Sequence, residues 1–194
     1  MPNPDMDWKA AWSAVADRLD DAAGTPSDVT WGADAVEPGA LRRFLEPLEF
    51  DCALHTDAQV ARAQGYPDVV APCASLMSFA FPPIWAPGET QFTSPARNAQ
   101  PPRLSVKPRV PEGAPATSEF FVVESSSDYL RPVVAGDRIG RRVPRLVACA
   151  PKETRVGRGA FCTYVTEVVN QRGEIVARVT STMYLYNPHP ETSA

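Results

Sequence analysis

Six side chains of this sequence could ligate a metal through sulfur or imidazole: Cys52, Cys73, Cys149, Cys162, His55 and His189. Zinc sites draw on closely spaced ligand pairs, and these six are scattered, with no Cys-x-x-Cys among them. No metal is expected, and the cysteines read as reduced thiols of a cytoplasmic protein. Cys73 follows Pro72 at the expected start of an apolar helix, where a thiol gives up its proton more readily. The same position equally suits a small buried residue whose N–H, rather than its sulfur, does any work. His55 sits between Leu54 and Thr56, a place for a proton carrier or for a hydrogen-bonded structural histidine. Arg131, Arg138, Arg141, Arg142 and Arg145 are dense enough to bind phosphate, which guanidinium grips bidentately. A solvated strand face accounts for the same cluster.

These residues must be held by elements that the pattern of the chain outlines. Trp8, Trp12, Val15 and Leu19 fall on one stripe of a 3.6-residue period, which predicts a helix. Asp5 and Asp7 suit its N-terminal dipole, and Gly24 can end it. A short strand from Val29 to Trp31 leads to a second helix from about Glu37. Pro38 lies in its first turn, and Leu41, Phe44, Leu45 and Leu48 form its buried face. A third helix starts at Thr56, which has capping-box spacing to Gln59, and Gly65 stops it. After Val69-Val70-Ala71-Pro72, an apolar helix from Cys73 to Phe81 ends at Pro82-Pro83. Apolar nearly all round, it is expected to be the most buried helix.

Residues 82–115 carry nine of the 21 prolines. They read as an irregular excursion, with Ile84, Trp85 and Phe92 packing on something. The last third alternates as strands do. Glu119 to Ser125 is one, and Pro132 to Asp137 turns into another that runs to about Cys149. Residues 159–170 and 174–186 then form a hairpin across Gln171-Arg172-Gly173. In the final strand Ile175, Ala177, Val179, Met183 and Leu185 share one face, and Arg178, Thr180 and Thr182 share the other. That pattern predicts an antiparallel sheet covered on one side.

Composition narrows the class. The chain has 194 residues, 44% hydrophobic and 22% charged, enough for one domain with a real core. A net charge of −4 argues against nucleic acid held by bulk charge. No apolar run is long enough to cross a bilayer, and the acidic, polar start Met1-Pro2-Asn3-Pro4-Asp5 is unlike a signal peptide.

The order of these pieces resembles the MaoC-like hydratase/dehydratase family. LRRFLEPLEFDCALHTDAQVARAQGYPDVVAPCASL (41–76) is similar to that family's N-terminal region. There a sheet wraps round a helix that begins after a Gly-Tyr/Phe-x-x-x-Ala-Pro stretch. DYLRPVVAGDRI (128–139) looks like its Pro-x-x-x-Gly-Asp entry into the middle strands, and GRGAFCTYVTEVVNQRGEIVARVTSTMYLY (157–186) like its final hairpin. The insert with Trp85-Ala86-Pro87-Gly88 resembles the longer subgroup, often one half of a two-chain hydratase. The resemblance implies an α+β hot-dog fold, an antiparallel sheet wrapped around a central buried helix. Residues 1–36 would be a helix and lead-in strand, 37–186 the hot-dog domain and 187–194 a tail.

The family's active version carries Asp-x-Asn-Pro-(Leu/Ile/Val)-His, with Ala or Ser five residues on. Here the matching stretch is Phe50-Asp51-Cys52-Ala53-Leu54-His55, with Ala61 trailing. His55 and Leu54 match, but Phe50 stands where the aspartate belongs. Water addition to an enoyl thioester needs a base for water, an acid for Cα and donors for the enolate-like oxygen. The resemblance assigns the proton work to His55, with Asp51 one residue out of place. It assigns the oxyanion donors to the backbone of Cys73 and Ala74, and lets Tyr66 and Trp85 line an acyl pocket. The arginines would meet coenzyme A phosphates.

Phenylalanine cannot move a proton. The chain is therefore expected to act in hydration or dehydration of an enoyl-/3-hydroxyacyl thioester as the acyl-binding half of a two-chain or dimeric site. The acyl group, on coenzyme A or a carrier protein, would be bulky, such as a steroid side chain or a polyketide, and no other cofactor is expected. The partner would be a MaoC-like catalytic subunit or a second copy. The rival readings are a self-sufficient homodimer using His55 with Asp51, and a non-catalytic acyl-thioester scaffold or a hot-dog enzyme adapted to another polyketide-type reaction.

Overall fold

The computed structural model describes residues 8–19, 28–92, 94–95 and 109–190. Its centre is an antiparallel sheet of six strands: β1 (Val29–Ala35), β2 (Glu119–Tyr129), β3 (Arg138–Arg142), β4 (Arg145–Thr154), β5 (Gly157–Asn170) and β6 (Ile175–Pro188). The path runs β1-β3-β5-β6-β2, with β4 also paired to β5. The expected hairpin is β5–β6, paired from Gly157↔Pro188 to Val169↔Ile175, with Gly173 at φ 76° in its turn. The single strand expected up to Cys149 is two strands. Pro144, which has no N–H for a ladder, separates β3 from β4, and β4 continues to Thr154.

Among the described residues four α-helices accompany the sheet: α1 (Trp8–Ala16), α2 (Pro38–Leu45), α3 (Ala58–Ala63) and α4 (Leu76–Phe79). α1 buries Trp12 and Val15 as its stripe predicts, but it ends at Ala16, well before Gly24. Asp5, Asp7 and Gly24 lie outside the described residues. α2 starts at Pro38 and buries Leu41 and Leu45. Leu48, expected on that face, is exposed because the chain tightens into a 3₁₀ turn over Glu46–Leu48. The cap of α3 is Asp57, not Thr56: its carboxylate accepts from the N–H groups of Gln59 and Val60. Gly65 follows α3 in a left-handed conformation, φ 89°.

The apolar helix from Cys73 to Phe81 is shorter and less buried than expected. Cys73–Ser75 is a 3₁₀ turn and α4 is a single α-helical turn. Ser75, Leu76 and Ala80 are buried, whereas Cys73, Ala74, Ser78 and Phe81 are exposed. A segment this short buries one side and leaves the other uncovered among the described residues.

The inner face of the sheet carries two apolar clusters. One joins Val36, Leu41, Val69, Ala71, Leu76 and Ala80 to Ile139, Val168 and Ala177, under α4 and the loop before it. The other joins Trp12 and Val15 of α1 to Cys149, Ala160, Cys162, Tyr164 and Leu185. The opposite face is not wet throughout, contrary to the alternation of β6. Tyr184 is wholly buried there, stacked on Phe161 at 4.5 Å and Tyr186 at 4.9 Å, with Phe121 edge-on. Its hydroxyl reaches the carbonyls of Lys152 and Gly157 at 2.9 and 2.8 Å, which accounts for a buried phenol on that face.

The proline-rich insert also departs from expectation where it is described. Ile84, Trp85 and Phe92 are exposed and belong to neither apolar cluster among the described residues. Trp85 instead donates its indole N–H to the carbonyl of Glu89 at 2.9 Å, within a local turn where Gly88 takes φ 90°. The insert residues 93 and 96–108 lie outside the described residues, as do 191–194 of the tail.

Candidate functional site

His55 closes a 3₁₀ turn, Ala53–His55, that is fastened to the segment before the apolar helix. The N–H of Val70 donates to the carbonyl of Leu54 at 2.9 Å, and His55 Nδ1 lies 2.6 Å from the carbonyl of Val70. A carbonyl only accepts, so Nδ1 carries the proton and the neutral ring keeps its lone pair on Nε2. Nε2 has no partner among the described residues. Two constraints thus fix the ring and leave one nitrogen available, the arrangement a proton carrier needs.

Among the described residues no carboxylate is bonded to it. Phe50 packs against His55, ring centroids 5.6 Å apart, and is itself 51% exposed. Asp51 is exposed and lines a shallow depression with Arg42, Leu45, Glu46, Glu49 and Thr56. It makes no hydrogen bond or ion pair among the described residues.

Beside Val70 lies a groove of about 280 Å³ lined by Tyr66, Val70–Cys73, Leu76 and the segment Tyr129–Val133. Two of the residues singled out from sequence, Tyr66 and Cys73, meet in it. Val70 links it to His55, since the same residue lines the groove and holds the imidazole. Cys73 and Ala74 open the 3₁₀ turn, so their N–H groups precede its first hydrogen bond, Ser75 N–H to Pro72 O. Both residues are exposed and their N–H groups have no partner among the described residues. Any oxyanion stabilisation would come from these two donors directly, because one turn of helix sums few peptide dipoles.

Trp85 is not among the residues that line this groove. The arginines divide. Only Arg131 lines the groove, loosely paired with Glu174 at 3.9 Å. Arg142 is bound to Glu167 at 2.7 Å, and Arg138 lies over the ring of Trp31. Arg145 is exposed at the start of β4.

Sequence reading missed two features. Tyr129, Leu130 and Val133 form the far wall of the groove. Their signal was an apolar pair next to Arg131-Pro132, where a strand must end. The second is a clamp on the back of α4. Arg141 donates Nε–H to the carbonyl of Ala80 at 3.0 Å and covers the ring of Phe81 at 4.6 Å. Burial lowers the proton affinity of this guanidinium. The N–H of Ala33 donates to the carbonyl of Phe81 at 2.9 Å. Gly32 lets β1 pass so close that a Cβ would stand 1.8 Å from the carbonyl oxygen of Phe79. Together they fix the segment whose other end bears the Cys73 and Ala74 donors.

Comparison with known proteins agrees with this architecture. A chain of the ChsH1–ChsH2 complex from Mycobacterium tuberculosis superposes with TM-score 0.60 at 19% identity, over 94% of this chain and 97% of that one. A monoamine oxidase regulatory protein from Archaeoglobus fulgius gives 0.52 at 17%, over 86% and 94%. A MaoC-like dehydratase from Rhodospirillum rubrum gives 0.50 at 19%, over 89% and 97%. At such identities the likeness is one of fold, and the fold is the hot-dog. No curated protein matches the sequence significantly. The profile of the family described as "FAS1-like, dehydratase domain region" matches residues 23–179. The chain therefore belongs to the FAS1-like dehydratase-domain family, and its hot-dog fold is the one that MaoC-like dehydratases also adopt.

Proposed function

We propose that this chain is the acyl-binding half of a two-chain site for hydration of an enoyl thioester, or dehydration of its 3-hydroxyacyl counterpart. One observation carries the reading: an anchored histidine with a free Nε2 faces a phenyl ring where proton transfer would need a carboxylate. The neighbouring groove supplies apolar walls, the backbone donor of Cys73 with that of Ala74 next to it in the chain, and one guanidinium, suited to a thioester whose carrier ends in phosphates. The reaction adds the O–H of water across a carbon–carbon double bond with no net redox, so coenzyme A or a carrier pantetheine enters only as part of the substrate.

The second chain is a MaoC-like subunit bringing the intact Asp/His pair. It would dock on β2, which is exposed along nearly its whole length and supplies Tyr129 to the groove wall. A bulky acyl group, a steroid side chain or a polyketide, suits a groove left open to solvent.

The test is steady-state hydration of an enoyl-CoA by the reconstituted pair, mutating one subunit at a time. General acid–base groups contribute about 10²–10⁴-fold in rate. His55→Ala should cost well under that, whereas changing the partner's own histidine should nearly abolish turnover. If the chain is active alone and His55→Ala removes that activity, the half-site reading is wrong. Phe50→Asp asks the converse: activity gained by the isolated chain would show that only the carboxylate was missing.

A further inference from the structure

We propose that Cys149 and Cys162 form a reversible cross-strand disulfide, a modification site that staples β4 to β5 beneath α1. The two residues are direct partners in the antiparallel β4–β5 ladder. Directly opposed residues in such ladders have Cα atoms about 4.5–5.5 Å apart, inside the range that a disulfide spans. Their sulfurs already lie 4.0 Å apart, so side-chain rotation, not strand movement, must bring them together. Neither cysteine has a part in the groove or at His55.

The surroundings set an order of reaction. Cys162 is fully buried, and Cys149 retains 8% exposure. β4 has no strand on its other side among the described residues, so Cys149 is the sulfur a small reagent meets. The Cys162 S–H points at the Cys149 sulfur, which eases loss of the Cys149 proton and holds that of Cys162 more firmly. Cys149 therefore attacks a low-molecular-weight disulfide first, releasing one small thiol and leaving a mixed disulfide. Cys162 then attacks the Cys149 sulfur and expels the second thiol. The protein loses two hydrogens, and its two electrons reduce the small disulfide to two thiols. In a reducing compartment the pair stays open, and a shift toward oxidised thiols closes it.

The experiment uses the full chain with hydroxyethyl disulfide, small and uncharged, followed by acid quench, alkylation in denaturant and tryptic mapping. Lys152, Arg155 and Arg158 lie between the two cysteines, so trypsin leaves the link as a two-chain peptide. The expected product is that peptide, lighter by two hydrogens than its parts and separated by dithiothreitol. It must also form in the Cys52→Ser/Cys73→Ser double variant, which excludes relay through the other thiols. Closing a loop of this size should raise the melting temperature by about 5–10 °C, an increase missing from Cys149→Ser. Recovery of Cys149 and Cys162 as separately alkylated thiols, or as two unlinked mixed disulfides, overturns the proposal.

Discussion

The half of the inner face beneath α1 and the half beneath α4 share β5 and β6 yet are closed in opposite ways. Under α1, two full turns of helix set Trp12 and Val15 directly onto Cys149, Ala160, Cys162 and Leu185, and the cavity of about 600 Å³ on this half lies beyond that cluster, between Val15, Arg18, Arg109, Pro144, Leu146 and Tyr164. Under α4, one turn of helix covers Val168 and Ala177 and leaves Cys73 and Ala74 bare beside a groove. Helix length is the difference. A nine-residue helix presents a whole stripe to the sheet, while a four-residue one presents a point and must be clamped from behind by Gly32, Ala33 and Arg141. The tightly packed cluster and the candidate site thus lie on separate halves of one sheet.

That division can be broken most forcefully at Trp12, which is 2% exposed. Trp12→Ala should cost about 3–5 kcal/mol in urea unfolding, the range for removing a buried aromatic. Trp85→Ala, on the exposed insert, should stay within about 0.5 kcal/mol. Equal losses from both would dissolve the distinction between a closed and an open half.

A smaller effect sharpens it from the α4 side. Gly32→Ala drives a methyl group into the carbonyl of Phe79 and should cost about 1–3 kcal/mol, with α4 displaced. Gly39→Ala, inside α2 with nothing within 4 Å of its Cβ, should instead stabilise by about 0.4–1 kcal/mol. Matching signs in the two denaturation curves would mean that the close approach of β1 to α4 does not constrain this half.

The mildest test is confined to alkaline pH. Burial raises the pKa of Tyr164 above its ordinary value of 10.0, and its hydroxyl donates to the carbonyl of Arg109 at 2.8 Å. Above pH 10 the unfolded chain gives up this proton while the folded chain holds it. The stabilisation is thus complete below pH 10 and is lost as pH rises toward the folded value. Stability measured from pH 8 to 11 should fall less steeply in Tyr164→Phe than in the parent. Parallel slopes would show that the α1 half does not seclude this phenol.

Periodicity made most of the fold legible. The stripe of Trp12 and Val15, the hairpin across Gln171-Arg172-Gly173 and the cap-and-stop signals near Ala58–Ala63 all depend on local spacing, and the structure keeps the elements they mark. The misses share a cause: they depend on what lies across space. Nothing local says that α4 will be one turn long, that Leu48 will point to solvent or that Tyr184 will find aromatic cover from β2 and β5. At the candidate site the order of motifs brought Tyr66 and Cys73 to one groove and bound His55 to Val70, a residue of its wall. The far wall comes from residues more than fifty positions away, and Arg141 acts through a carbonyl that no sequence pattern marks.

The open flank of β2 carries a final consequence, for supply rather than chemistry. Its N-terminal part, Phe120-Phe121-Val122-Val123, is a proline-free run of strong β-formers on a sheet edge, with Val122 52% exposed. Such an edge accepts any strand that offers hydrogen bonds, a second molecule of the same chain included. If a second chain covers this edge as proposed, this protein made in excess over it would aggregate or be degraded. On that reading its steady-state amount would be set by how much partner is made alongside it, and matched production of the two chains would be a requirement written into one strand.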